Sequence, residues 1–511
     1  MVTDYTGGIR ERGLKQTIDW KIIICYLLLI FIGWINIYAS IQSAEPSSIL
    51  DWSCRSGKQA IWILTAFALD ILILFVINPR LWEVISTPAY LCVVVLLVAV
   101  IFLGVQIKGS RSWFAFGPVR FQPAEISKIS TSLMLAFVMS RSNYKISKIK
   151  DFIMTALVIG IPMLVILGES ETGSALVYVG FVFMLYREGL SGWFLVCIGM
   201  AILLFILTLT ASGYTAMVIL LSVILLCNAI NQRRSAYWLM IFSGVILVVC
   251  LFPLIWNGIV NVLVPGASVI DEVDPFVADT IRHSSKMSFL LAVNPLYMVL
   301  AISLALIPYI LIRSYIEKNT FVALSVGAWI VGMILSFSTS FIFNDVLQDH
   351  QRKRIEVLLG IKEDLAGVGY NVHQSMIAIG SGGLFGKGFL NGTQTTYGFV
   401  PEQSTDFIFC TVGEEWGFVG CLIVIMLYAM IIWRIIRDAE GCRENFTRIY
   451  GYCVAGCFFM HLFINIGMTI GLMPVIGIPL PLMSYGGSSL WAFTILLFIF
   501  IALHHEEKKY F

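Results

Sequence analysis

Apolar stretches long enough to cross roughly 30 Å of hydrocarbon recur from Trp20 almost to the end of the chain, and no segment between them could form a sizeable soluble core. In lipid such stretches must satisfy their own backbone hydrogen bonds, so runs of this length read as helices. Composition agrees. Of 511 residues, 59% are hydrophobic and only 13% charged, where a soluble domain carries about 25% charged residues. That excludes an ordinary cytosolic globule, and a net charge of +2 gives no reason to expect nucleic acid.

The expectation is an all-α, polytopic transmembrane helical bundle forming one integral membrane domain over residues 1–511. About 14 spans are expected, beginning near 20, 58, 86, 123, 151, 172, 192, 214, 236, 289, 320, 406, 448 and 487. The basic segment with Arg10, Arg12, Lys15 and Lys21 precedes a long apolar run without a small-residue cleavage site, which reads as a retained first span. With both termini cytoplasmic, the inward turns hold Arg141, Lys145, Lys148 and Lys150, then Arg233 and Arg234, then Arg313 and Lys318, then Arg434, Arg437, Arg443 and Arg448. This is the positive-inside pattern. Eleven cysteines are spread singly, so neither a disulfide framework nor a zinc spacing follows.

The outward segments then carry KGSRSW (108–113), GESETGS (168–174), the acidic stretch 271–279, the long segment 345–405 and the Pro/Gly-rich segment 471–487. Loops as long as 345–405 are usually functional or disordered. Its amphipathic HQRKRIEVLL and Gly-rich IAIGSGGLFGKG point to order, folded against the outer membrane face. Outward cations Lys108, Arg111, Arg120, Arg352, Lys353, Arg354 and Lys387 break the positive-inside pattern. They suit either a phosphate-bearing ligand, which the Gly-rich backbone could approach closely, or simple solvation.

Glu125 and Lys128 lie three residues apart after Pro123 at a helix start, either as a structural ion pair or as the lining of a polar cavity. Asp406 falls where the long outer segment gives way to a span. A carboxylate there is shielded yet reachable from water, as a general base must be; a plain helix N-cap through Thr405 or Asp406 is the alternative. Asp70, His461 and Asn465 lie within spans, where interhelical hydrogen bonding is the favoured reading over a proton relay. Pro474, Pro479 and Pro481 with repeated glycines forbid regular helix and predict a re-entrant, cavity-lining segment.

Four stretches, KGSRSWFAFGPVRFQPAEISK (108–128), QSMIAIGSGGLFGKGFLNGTQ (374–394), PEQSTDFIFCTVGEEWGFVG (401–420) and GLMPVIGIPLPLMSYGGSS (471–489), together resemble the SEDS family of shape, elongation, division and sporulation proteins, in its elongation branch. The resemblance implies a peptidoglycan glycosyltransferase that polymerises lipid II into glycan strands at the outer face of the cytoplasmic membrane during elongation and shape maintenance. It implies Asp406 as the catalytic residue, Arg111, Glu125 and Lys128 as polar cavity positions, and Lys387, Glu402 and Glu171 as substrate-binding positions. It also implies a class B penicillin-binding protein as transpeptidase partner, besides lipid II, the growing strand and membrane lipid. A divalent cation, magnesium or manganese, would be compatible with offsetting the leaving charge, with no ligand set assigned.

The sequence departs from the family twice. The usual QPDLGT stands here as ESETGS, leaving Glu171 where an aspartate is normal. Family members commonly have ten spans, so about four extra ones are expected here within 190–318, between an N-terminal core (20–188) and a C-terminal core (320–505) that includes the outer segment 345–405. A flippase for lipid-linked precursors and a noncatalytic cell-wall scaffold are the rival readings. The first would be supported by an inverted repeat, which the sequence does not display.

Overall fold

The computed structural model describes residues 17–41, 48–107, 110–116, 119–211, 213–231, 255, 307–308, 312, 320–347, 349–361 and 369–509. It divides into two compact units, one of Met1–Gly192 with Lys362–Phe511 and a second of Trp193–Ile361. The second unit therefore reaches past 318 and takes in the start of the outer segment.

In the first unit, α1 (Trp20–Ile41), α2 (Arg55–Ile71, continued by a π-helical turn Leu72–Val76) and α3 (Arg80–Leu103) lead into a small antiparallel sheet, β1 (Val105–Ile107), β2 (Ser110–Phe116) and β3 (Val119–Phe121), in the order β1-β2-β3. Two helices follow, α4 (Pro123–Met139) and α5 (Ile149–Gly168), then the short α6 (Thr172–Val177) and α7 (Phe181–Arg187). The second unit holds α8 (Gly192–Thr210, entered at its first residue), α9 (Gly213–Asn231), α10 (Thr320–Phe341) and α11 (Asp349–Leu358). Back in the first unit come α12 (Tyr370–Ser381), α13 (Thr393–Thr396), α14 (Ile408–Glu440), α15 (Asn445–Thr469) and α16 (Gly487–Lys509).

Eight helices among the described residues are long and apolar enough to cross a membrane, and the chain is a multi-pass membrane protein. The expected spans near 236 and 289, the basic residues 233, 234, 313 and 318, and the acidic stretch 271–279 lie outside the described residues. The small sheet corrects the strictly all-helical expectation. Ser110, Ser112 and Phe114 alternate with Arg111, Trp113 and Ala115 along β2, a two-residue period that glycines and basic residues had disguised as loop. α4 is shorter than a full span at 17 residues because Gln122 and Pro123 start it late, beyond the sheet.

Helices α15 and α16 have 78% of their apolar windows buried, against 22% for α2 and α5. The former pair is therefore the centre of the first unit and the latter pair faces lipid. Tyr450, Phe458, Phe493 and Phe500 fill that centre. One end gathers the ion pairs of Arg434 with Asp19, Arg448 with Glu188 and Arg187 with Glu440. The opposite ends of α14 and α15 carry the α14 entry and the 470–486 segment, and the sheet between α3 and α4 is tied through Arg111 N to Glu169 O in the turn between α5 and α6. In the second unit, Leu204, Ala216, Met217, Leu220, Trp329 and Met333 form a separate apolar core.

Candidate functional site

Asp406 lies half-buried two residues before α14, in a turn whose backbone is fixed from three directions. Asn465 Nδ2 donates to Asp406 O at 2.8 Å and to Ile478 O at 2.7 Å, so one amide of α15 ties the aspartate's segment to the Pro/Gly-rich one. Ser484 Oγ donates to Thr405 O at 2.5 Å, and Tyr485 N to Ser404 O at 2.8 Å. Arg55 Nη1 donates to Ser404 Oγ at 2.6 Å while its guanidinium lies 5.7 Å from the Tyr485 ring centroid. Gly477 has φ +77°, and a Cβ there would stand 3.4 Å from Asp406 Oδ2. Glycine is favoured at that point for its left-handed backbone, the Cβ contact itself being an ordinary van der Waals one.

The Pro/Gly-rich segment is non-helical through 480, as its three prolines dictate, and α15 holds it. His461 Nδ1 faces Pro479 O at 3.2 Å; a carbonyl only accepts, so that nitrogen carries the proton and Nε2 accepts from Lys128 Nζ at 2.8 Å. Lys128 also pairs with Glu125 Oε2 at 2.8 Å and sits 4.9 Å from the Phe493 ring centroid. At 1% and 3% exposure, Lys128 and Glu125 form a buried, internally neutral pair. His461 and Asn465 thus make the hydrogen bonds between segments that their placement suggested, and Asp70 does likewise by accepting from Tyr26 at 3.0 Å.

Lys387 meets Glu414 Oε1 at 2.7 Å and Thr393 Oγ1 at 2.8 Å. The fully buried Glu414 carboxylate also accepts from Gln394 N, Thr395 N and Thr395 Oγ1, at 2.8, 2.8 and 2.6 Å. Gln403 in turn donates to Thr395 O at 2.9 Å, linking this knot to the Asp406 turn. The Gly-rich run is spent on the same contact: Lys387 N and Gly388 N donate to Glu414 O and Glu415 O, each at 3.0 Å. A Cβ on Gly386, at φ +80°, would collide with Glu415 O. These glycines let two backbones approach each other, which revises the idea of a backbone cradle open to phosphate. Gly386→Ala is expected to cost about 2 kcal/mol or more in thermal unfolding, through forced φ and overlap together. Gly380→Ala, with nothing within 4 Å of its Cβ position, should stay near wild type.

Glu402 adopts a left-handed backbone, φ 56°, at the head of the Asp406 turn, and its Oε2 accepts from Thr405 Oγ1 at 3.1 Å. Arg111 is exposed on β2, and its N–H donates to Glu169 O at 3.3 Å. Glu171 Oε1 accepts from Ser110 Oγ at 2.9 Å and Ser112 Oγ at 2.7 Å. Beside it Glu169 is buried, and burial, with a smaller push from the Glu171 charge, raises its carboxyl to about 8. The α6 start abuts the Asp406 region, since a Cβ on Gly173 would lie 2.8 and 2.9 Å from Ile478 and Ile476, the neighbours of Gly477. Lys108 and the Arg120 side chain lie outside the described residues; Arg352, Lys353 and Arg354 belong to the second unit.

Two residues escaped the sequence reading. Arg55 carried a usable signal, being a cation at the head of an apolar helix. Glu169 carried one too, as an acid where the family motif has glutamine.

The sequence profile of the cell cycle protein family FTSW_RODA_SPOVE matches residues 19–240 and 259–509. The chain is 28% identical to peptidoglycan glycosyltransferase RodA of Treponema pallidum, over 94% of this chain and 96% of that protein. It is 28% identical to peptidoglycan glycosyltransferase MrdB of Escherichia coli K12, over 84% and 81%. Its fold resembles a chain of a peptidoglycan synthase complex that coordinates polymerization and crosslinking, with TM-score 0.54, 22% identity and coverage of 96% and 98%. It also resembles the rod shape determining protein RodA of Thermus thermophilus, with TM-score 0.51, 20% identity and coverage of 96% and 97%.

Proposed function

Because the chain belongs to the FtsW/RodA/SpoVE family of cell cycle proteins, we propose that Asp406 is the general base of its glycosyl transfer. The protein is a peptidoglycan glycosyltransferase of the membrane, serving cell-wall synthesis and cell shape. Its acceptor and donor are lipid II and the lipid-linked growing strand. Asp406 takes the proton of a sugar 4-hydroxyl as that oxygen attacks the anomeric carbon with inversion, and undecaprenyl pyrophosphate leaves. The site faces outward and both termini are cytoplasmic, an orientation supported by the basic cluster at the opposite end of the bundle.

The observation that carries this reading is the setting of Asp406: half-buried, ahead of a long apolar helix, with its backbone fixed by Asn465 and its carboxylate beside the left-handed turn at Gly477. Preorganised charge is usually the largest catalytic contribution. Lys128 and Lys387 are each matched by a buried glutamate, so they position the site more than they add net charge to it. Arg55, bonded to the Asp406 turn, and exposed Arg111 are the cations suited to the departing pyrophosphate. Glu402 and Glu171 shape the walls. A class B penicillin-binding protein crosslinks the product.

The test is polymerisation of lipid II by the purified full chain in lipid nanodiscs, with and without that partner. A glycan ladder is the expected result. Absence of product under both conditions, with lipid II moved across vesicle membranes instead, would establish the transporter reading.

A further inference from the structure

We propose that Glu169 and Glu171, in the turn between α5 and α6, form a binding site for one divalent cation of the magnesium or manganese class. Two independent observations lead there. One is that strand β2 gathers both glutamates: Arg111 N donates to Glu169 O, while Ser110 and Ser112 on either side of it donate to Glu171 Oε1. The other is Glu169 itself: it is 2% exposed, and both of its carboxylate oxygens are buried without a hydrogen-bond partner.

The surroundings disfavour an isolated negative charge at Glu169. It caps the C-terminal end of α5, where the helix dipole is negative, and its N–H is taken by Val165 O and Ile166 O. Neither glutamate forms an ion pair among the described residues. A buried carboxylate needs a counter-charge, and here the structure offers a second carboxylate instead. A cation between them resolves the conflict.

The donor set selects the kind of cation. Carboxylate and hydroxyl oxygens, without histidine or cysteine, suit a hard ion. Ser110 and Ser112, 3.2 Å apart, orient Glu171 through Oε1 and leave Oε2 for another partner. No three His, Cys, Asp or Glu side chains converge on a metal site among the described residues. The protein would thus contribute two carboxylates, and water or phosphate oxygens the rest, as magnesium sites commonly do. Glu171 is half-buried and so is the member of the pair open to water, and Gly173 packs on the residues flanking Gly477 beside Asp406. That the cation also meets the substrate pyrophosphate rests on the glycosyltransferase reading; the binding itself does not.

The experiment is a manganese titration of the full chain in nanodiscs, freed of divalent ions and without substrate, followed by the electron paramagnetic resonance of unbound manganese. One manganese per chain, displaced by magnesium, is expected. Glu169→Gln and Glu171→Gln should each weaken binding about tenfold or more, as loss of a ligand costs at least what outer-shell changes do. Glu169→Asp should retain more affinity than Glu169→Gln. Asp406→Asn should bind like wild type while losing polymerisation, so a polymerisation failure and a binding failure are read separately. Glu169→Gln removes a buried charge at constant shape and is expected to fold; were it not to, Glu171→Gln decides alone. Wild type that takes up no stoichiometric manganese, or glutamine variants that bind it undiminished, would overturn the site and leave a neutral structural acid pair.

Discussion

Asp406→Asn is expected to slow lipid II polymerisation by about 100- to 10,000-fold, the usual worth of a positioned general base, in a protein that folds and embeds as before. The amide keeps the shape of the carboxylate but cannot take a proton. The bonds that fix the turn run to the backbone carbonyls of Asp406, Thr405 and Ser404, and these the substitution leaves alone. Structural damage is therefore a poor explanation for lost activity. Glu402→Gln separates the two acids of the turn: its carboxylate holds Thr405 Oγ1 at 3.1 Å, and its loss should change the rate by less than about tenfold if it only shapes the wall. Single-turnover rates with radiolabelled lipid II measure both. An Asp406→Asn protein within threefold of wild type would remove the assignment.

What could be read from the chain, and what could not, follows the distance over which each interaction acts. Helix starts near 20, 123, 192, 214, 320 and 487 fall within a few residues of the observed ones because span length and proline placement are local properties. Glu125 and Lys128 were legible as a pair because three residues of helix bring them together. Their third member, His461, lies 333 residues from Lys128 and could be singled out only as a polar residue in a span. Lys387 raises the same difficulty. Its outward charge suggested a phosphate, yet its partner Glu414 is 27 residues away, inside a helix the sequence could not orient. The glycines of 382–388 show the limit of composition, for a run able to approach a ligand closely is equally able to approach another backbone, and here it does so.

The buried pair makes the second large effect. Lys128→Met should destabilise the protein by about 3–5 kcal/mol, because it strands Glu125 as an uncompensated carboxylate in the interior, and Glu125→Gln should cost a similar amount by stranding the ammonium. The double variant should recover most of the loss, since it removes both charges while keeping the volume, and such replacements of buried pairs are often close to neutral. A double-mutant cycle from unfolding in bicelles would read this as a coupling of about 3 kcal/mol. The same double variant separates structure from chemistry. Its neutral side chains would still pack against Phe493 but could not donate a charged hydrogen bond to His461, the residue that holds Pro479 O and with it the segment bearing Gly477. If the pair serves by keeping that segment in place, polymerisation should fall in the double variant through kcat with KM little changed, and His461→Gln should reproduce the fall. A stable double variant with wild-type kcat would show instead that Glu125 and Lys128 hold α4 together and take no part in arranging the site around Asp406.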